Sequence, residues 1–115
     1  MPLLALQTSS SLSNQQRHEL LAPLSRIVAE CIGKPERYVM VTIDQTAMLM
    51  GGVEGPAAYA EIRSIGGLSG EVNRTLSERV CALLHERLGI PPDRIYLGFT
   101  SVAATHWGWN GGTFG

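Results

Sequence analysis

The chain has 115 residues, 44% apolar and 17% charged, and its nine basic side chains against ten acidic ones give a formal net charge of −1. That is the make-up of one globular domain, spanning residues 1–115 and too short for two. The near-neutral balance lacks the basic footprint that nucleic acid or an anionic membrane surface requires, and no apolar run is long enough to span a bilayer.

The chain opens on Met1-Pro2 ahead of an apolar run, Leu3 to Leu6. If Met1 is removed, Pro2 becomes a free secondary amine at the tip of a strand and a candidate base. If Met1 stays, the same nitrogen is locked in an amide. Leu3 to Thr8 reads as a strand of the sheet interior, apolar on both faces. Ser13 followed by Gln16 has the form of a capping box, and Leu20, Leu24, Ile27, Val28 and Cys31 then fall at helical spacing. Gly33 stops that helix. Pro23 lies inside it, where proline costs about 3 kcal/mol, so a kink is expected there.

Tyr38 to Asp44 is rich in β-branched residues and reads as the second strand, with Ala47 to Met50 as a short extension. Gly51-Gly52 and Gly55-Pro56 mark a turn region. Ala57 to Ser64 is the third strand, alternating Ala58, Ala60, Ile62 and Ser64 against Tyr59, Glu61 and Arg63. A glycine-rich loop leads into a second helix through Val72, Leu76, Val80, Leu83, Leu84 and Leu88, stopped by Gly89. Its glycines lack the spacing of a nucleotide-binding loop. Ile95 to Ser101 is the fourth strand. After Ala103 the tail is aromatic and glycine-rich.

The halves repeat, at roughly 1–56 and 57–115. Gly33-Lys34-Pro35-Glu36-Arg37-Tyr38 is echoed by Gly89-Ile90-Pro91-Pro92-Asp93-Arg94. A duplicated βαβ unit predicts an α+β domain: a four-stranded mixed sheet with two helices on one face. The other face would expose apolar residues of the inner strands, which predicts a closed homo-oligomer. Cys31 and Cys81 are expected as buried free thiols, and three scattered histidines offer no metal site. His18, His85 and His106 are expected exposed or locally hydrogen-bonded.

Pro2, Gly33-Lys34-Pro35, Tyr38, Gly51-Gly52, Ser64-Ile65-Gly66, Asn73-Arg74, Leu83 to Leu88, Pro92-Asp93-Arg94-Ile95-Tyr96, Gly108-Trp109-Asn110 and Thr113-Phe114 together resemble the macrophage migration inhibitory factor family of the tautomerase superfamily. The resemblance covers essentially the whole chain. It implies a homotrimer whose sheets line a central channel, with active sites between subunits and no cofactor. Pro2 would be the catalytic base for keto–enol tautomerisation of a small aromatic α-keto acid such as phenylpyruvate, or of a dopachrome-like compound. Lys34, the only lysine, would hold the substrate carboxylate. Ser64 and Ile65 would supply polar backbone groups near the proline, and Tyr96 of a neighbouring subunit, Trp109 and Phe114 an aromatic pocket. Leu3, Tyr38, Gly98 and Trp107 would form its rim.

The chemistry explains these residue types. The reaction needs a base whose pKa lies near the working pH, and apolar walls beside a lysine cation lower that of an amine. The chain also departs from the family's vertebrate members. It has Ala57-Ala58-Tyr59-Ala60 in place of a Cys-x-x-Cys, so a thiol oxidoreductase activity does not carry over. Gly98 replaces an asparagine, Trp107 a small aliphatic residue and Thr100 a channel tyrosine, while Ser11-Leu12-Ser13 lacks an arginine tied to receptor engagement. Two functions stand: an isomerase, or a cytokine-like interaction protein with a vestigial pocket. No secretory leader is visible, which makes the cytoplasm the default compartment, although the resembled family leaves cells without one.

Overall fold

The structure, a computed structural model, describes every residue from Met1 to Gly115. In chain order it runs β1 (Leu3–Thr8), α1 (Asn14–Ile32), β2 (Met40–Gln45), β3 (Ala58–Ser64), α2 (Gly70–Leu88) and β4 (Ile95–Ser101). A small hairpin of β5 (Gly108–Trp109) and β6 (Gly112–Thr113) closes the chain. The main sheet has the order β2-β1-β3-β4. β1 runs parallel to β2 and β3 parallel to β4, and the two units meet antiparallel between β1 and β3. This is the α+β architecture that the duplicated pattern predicts.

Alternation along the inner strands builds the core. Leu4 and Leu6 of β1 and Ala60 and Ile62 of β3 point to one face, where Leu24 and Val28 of α1 and Leu76, Val80 and Leu84 of α2 cover them. Each large aliphatic side chain buried this way contributes about 1.5–3 kcal/mol. Both helices are well ended. The Ser13 hydroxyl accepts from the Gln16 N–H at 3.1 Å while the Gln16 side chain accepts from the Ser13 N–H at 2.9 Å. Ser69 caps α2, its hydroxyl accepting from the Val72 N–H at 3.1 Å. Gly33 and Gly89 end the helices in the left-handed region, at φ 75° and 68°. α1 continues through Pro23 without a break.

The repeat holds residue for residue at the two turns. After each capping glycine comes a proline two positions on (Pro35, Pro91) with φ near −60°, then a 3₁₀ turn, Glu36–Tyr38 or Pro92–Arg94. That turn explains why β2 begins at Met40 rather than at Tyr38. The Tyr38 N–H is spent on the Pro35 carbonyl at 3.0 Å and the Val39 N–H on Glu36 at 2.9 Å.

Ala47 to Met50 is not a strand. Gly51 and Gly52, at φ 60° and 74°, fold the segment into a tight turn with a single Met50–Val53 bridge. Arg94 then fixes the loop by donating from its guanidinium to the carbonyls of Pro56 (2.8 Å), Val53 (2.9 Å) and Met50 (3.4 Å). β3 starts one residue later than the pattern suggests, at Ala58. Cys31 and Cys81 are free, as expected, but half-buried rather than buried. No helix is long and apolar enough to cross a membrane.

The face away from the helices is more polar than expected. Leu3, Ala5 and Met40 are its apolar members. By register they share it with Gln7, Thr42, Asp44, Tyr59, Glu61, Arg63, Tyr96, Gly98 and Thr100. Strict alternation put the apolar set of β3 inward and its charged set outward.

Candidate active site

Pro2 sits just ahead of β1 and is fully buried, its carbonyl accepting from the Met40 N–H at 3.0 Å. β2 therefore anchors the amino terminus. Pro2, Leu3, Tyr38, Trp107, Trp109 and Phe114 line a cavity of about 520 Å³ together with Met1. Here the Pro2 nitrogen is an amide, and the free amine belongs to Met1. That amine is held below its ordinary value of 8.0, first by burial and second by the positive charge of Lys34. Both effects penalise the ammonium form.

Lys34 follows the left-handed Gly33 at the end of α1, its N–H donating to the Ala29 carbonyl at 3.2 Å. The glycine-rich loop packs directly against this corner. A Cβ on Gly67 would lie 2.6 Å from Ile32 Cγ2, 3.1 Å from the Ile32 carbonyl and 3.6 Å from Lys34 Cε. The chain's ion pairs are Arg63–Glu61 and Arg79–Glu30, so the Lys34 ammonium is unpaired.

The aromatic wall comes from the tail. Asn110 and Gly111, both at positive φ (51° and 80°), turn β5 into β6. The turn stacks Trp109 on Phe114 with centroids 5.4 Å apart and planes 15° from parallel. The Phe114 N–H donates to the Trp107 carbonyl at 3.2 Å. Tyr38 meets both rings edge-on, at 6.0 Å and 6.4 Å.

Other expected residues stand apart from the cavity. Ser64 is buried on the helix side, its hydroxyl donating to the Gly66 carbonyl at 2.7 Å and its own carbonyl accepting from the Val102 N–H at 2.9 Å. Ser64, Ile65 and Lys34 do not line the cavity, although Arg63 and Arg37 do. Tyr96 pairs with Tyr59, four positions along β3 from the Arg63 that pairs with Leu3. That is roughly 13 Å along the strand. Gly98 lies between, opposite Glu61. Neither reaches the Pro2 cavity of its own chain. The cavity also has members that the sequence did not single out: Arg37, Val39, Met40, Arg63, Val102 and His106. Their signal was weak. Alternation puts Arg63 on the Leu3 face, and Arg37 falls inside the repeated turn. No three His, Cys, Asp or Glu side chains gather anywhere in the chain.

A second recess, of about 420 Å³, opens on the uncovered sheet face beside Ala5, Gln7 and Asp44. Its polar centre is Glu61, which accepts from the Tyr59 hydroxyl and from Thr100 at 2.9 Å and lies 3.6 Å from Arg63 Nε. The Tyr59 hydrogen bond, above all, holds the Glu61 carboxyl below its ordinary value, and the same bond raises the Tyr59 phenol.

All 115 residues match one family model, that of the macrophage migration inhibitory factor (MIF). The chain is 37% identical to the macrophage migration inhibitory factor of Meriones unguiculatus over 115 residues, covering 99% of each. Among solved structures it is similar to the homologue from Prochlorococcus marinus, with a TM-score of 0.93 and 44% identity over 98% of this chain and 99% of that one. The MIF-like protein of Entamoeba histolytica has a TM-score of 0.94 at 32% identity, with 98% of both chains covered.

Proposed function

The chain belongs to the macrophage migration inhibitory factor family, and from that premise we propose that it is a cofactor-free keto–enol tautomerase acting on a small aromatic α-keto acid. The observation that carries this reading is Pro2 buried at an aromatic cavity, with the charge of Lys34 felt at the amino terminus. Once Met1 is removed, the burial and the cation that depress the Met1 amine would act on the Pro2 amine, leaving more of it as free base near neutral pH.

The reaction then follows from the groups present. Lys34 holds the carboxylate, and the aryl group lies in the cavity against the wall of Tyr38, Trp109 and Phe114. The Pro2 nitrogen takes a proton from the carbon next to the carbonyl as the C–H electron pair becomes the C=C bond; solvent water protonates the carbonyl oxygen, and the prolinium returns its proton to solvent. The reverse direction returns the proton to that carbon. The proposal includes a homotrimer, because Tyr96 stands at the opposite end of the sheet from its own Pro2 and Gly98 in mid-sheet, outside the cavity. A neighbouring subunit would bring them to the pocket.

A second reading rests on Met1. A chain that keeps it has no proline base, and the pocket is then left to binding alone, as in a cytokine-like interaction protein. Tautomerisation of phenylpyruvate by protein shown by intact mass to lack Met1, beside its Pro2→Gly variant, separates the two. A rate well above buffer that collapses in the variant supports the enzyme. A rate equal to buffer leaves the binding reading.

A further inference from the structure

The cavity beside Pro2 is lined by basic side chains and by no acidic one. Arg63 already faces Glu61 at 3.6 Å, and Lys34 is assigned above to the carboxylate next to the reacting carbonyl. Arg37 is different. Its guanidinium carbon lies 4.8 Å from the centre of the Tyr38 ring, and it belongs to neither of the chain's ion pairs. A guanidinium laid on an aromatic face is oriented by it and still presents a planar fork of N–H donors, which suits the two oxygens of a carboxylate.

Tyr38 links this cation to the cavity. The ring beneath Arg37 packs edge-on against Trp109 and Phe114, so a ligand lying in the cavity against this aromatic wall runs beside the arginine. Lys34 lies two residues before the Glu36–Tyr38 turn and Arg37 within it, so the two unpaired cations are three residues apart. His106 adds a further ring N–H to the same wall. A substrate with one carboxylate uses one of these cations and leaves the other unanswered.

Resting on the tautomerase reading, we propose that the pocket selects doubly anionic keto acids: 2-oxo acids whose aryl body ends in a second carboxylate. Lys34 takes the carboxylate beside the keto group and Arg37 the distal one, which makes Arg37 the specificity-determining residue.

The test uses Met1-free protein, wild type and Arg37→Gln, with Arg87→Gln on the exposed face of α2 as a control for net charge. Tautomerisation of phenylpyruvate is compared with that of 4-carboxyphenylpyruvate. The kcat/KM ratio favours the carboxylated substrate about threefold in wild type and in Arg87→Gln, the scale of one ion pair at an exposed arginine. It falls to about 1 in Arg37→Gln. A wild-type ratio near 1, or a preference that survives in Arg37→Gln, overturns the proposal while leaving the tautomerase standing.

If neither compound turns over, the tautomerase reading fails, and binding decides the inference. The unreactive pair 3-phenylpropionate and 3-(4-carboxyphenyl)propionate is titrated by calorimetry. Tighter binding of the dicarboxylate that Arg37→Gln abolishes upholds the dianion site. Equal binding of the two overturns it.

Discussion

The backbone of Gly98 runs so close to Tyr59 that a Cβ at position 98 would stand 2.6 Å from the phenolic oxygen, and 2.7 Å from Glu61 Oε2. Glycine is what lets that hydrogen bond lie across β4. Gly98→Ala should push the exposed Tyr59 ring aside, at a cost of about 1 kcal/mol by chemical denaturation. It should also let the Glu61 carboxyl titrate at a higher pH by NMR. An unmoved Glu61 titration would show that the bond does not depend on the missing side chain.

Tyr59→Phe tests the same pair through pH. Glu61 has a folded pKa below its ordinary 4.5. Its contribution to stability is therefore complete above that value and is lost as pH falls through the lower folded one. Tyr59 has a folded pKa above its ordinary 10.0, so its contribution is present below 10.0 and lost as pH rises through the folded value. The stability gap between wild type and Tyr59→Phe should be widest between those limits and shrink on both sides. A gap that is flat with pH would contradict the linkage.

Processing decides activity. Protein that retains Met1 should tautomerise phenylpyruvate about 10²–10⁴-fold more slowly than the Met1-free form, the range of a positioned general base. Mass spectrometry of each preparation beside its rate checks this. Full activity in an entirely unprocessed sample would eliminate the proline base.

Lys34→Ala should act twice. Loss of the carboxylate anchor raises KM about tenfold. Loss of the positive charge that depresses the terminal amine raises its pKa, so the acid limb of the pH–rate profile moves to higher pH. A raised KM with an unmoved acid limb would confine Lys34 to binding.

Gly67→Ala tests how Lys34 is held. The position has φ +80° and a Cβ there would meet Ile32 at 2.6 Å. Left-handed strain and the clash together should destabilise the fold by about 2 kcal/mol or more. The change should also weaken substrate binding, because the loop rests on Lys34. Unchanged melting and KM would mean that the loop moves freely away from α1.

The fold was legible because its signals are local and agree with one another. The capping box at Ser13, the stops at Gly33 and Gly89 and the alternation through Ala58 and Ser64 each specify one conformation. The misreadings occurred where a short-range rule competes with a pattern. β-branched residues near Tyr38 suggested a strand, yet Pro35 fixes a 3₁₀ turn first. Ala47 to Met50 looked extended, but loop carbonyls reaching Arg94 from 38 to 44 residues away leave no sequence signal. The Asn110-Gly111 pair is a strong hairpin signal within the aromatic, glycine-rich tail, and it makes the β5–β6 turn.

The site divides the same way. Pro2, Tyr38, Trp109 and Phe114 line one cavity, and Lys34 is outside that lining. Arg37, Arg63 and His106 were unread because what puts them on one wall is register and turn geometry, not spacing. The polar character of the bare sheet face was in the sequence, in the outward set Tyr59, Glu61 and Arg63.

The position after each helix-ending glycine differs between the two halves: Lys34 in the first, a wholly buried Ile90 in the second. Duplication supplied two equivalent corners, and the chain spent them differently. One keeps a cation toward the amino terminus, while the other is sealed into the core and can no longer meet a ligand. A charge restored at Ile90 would cost core stability before it offered any new chemistry.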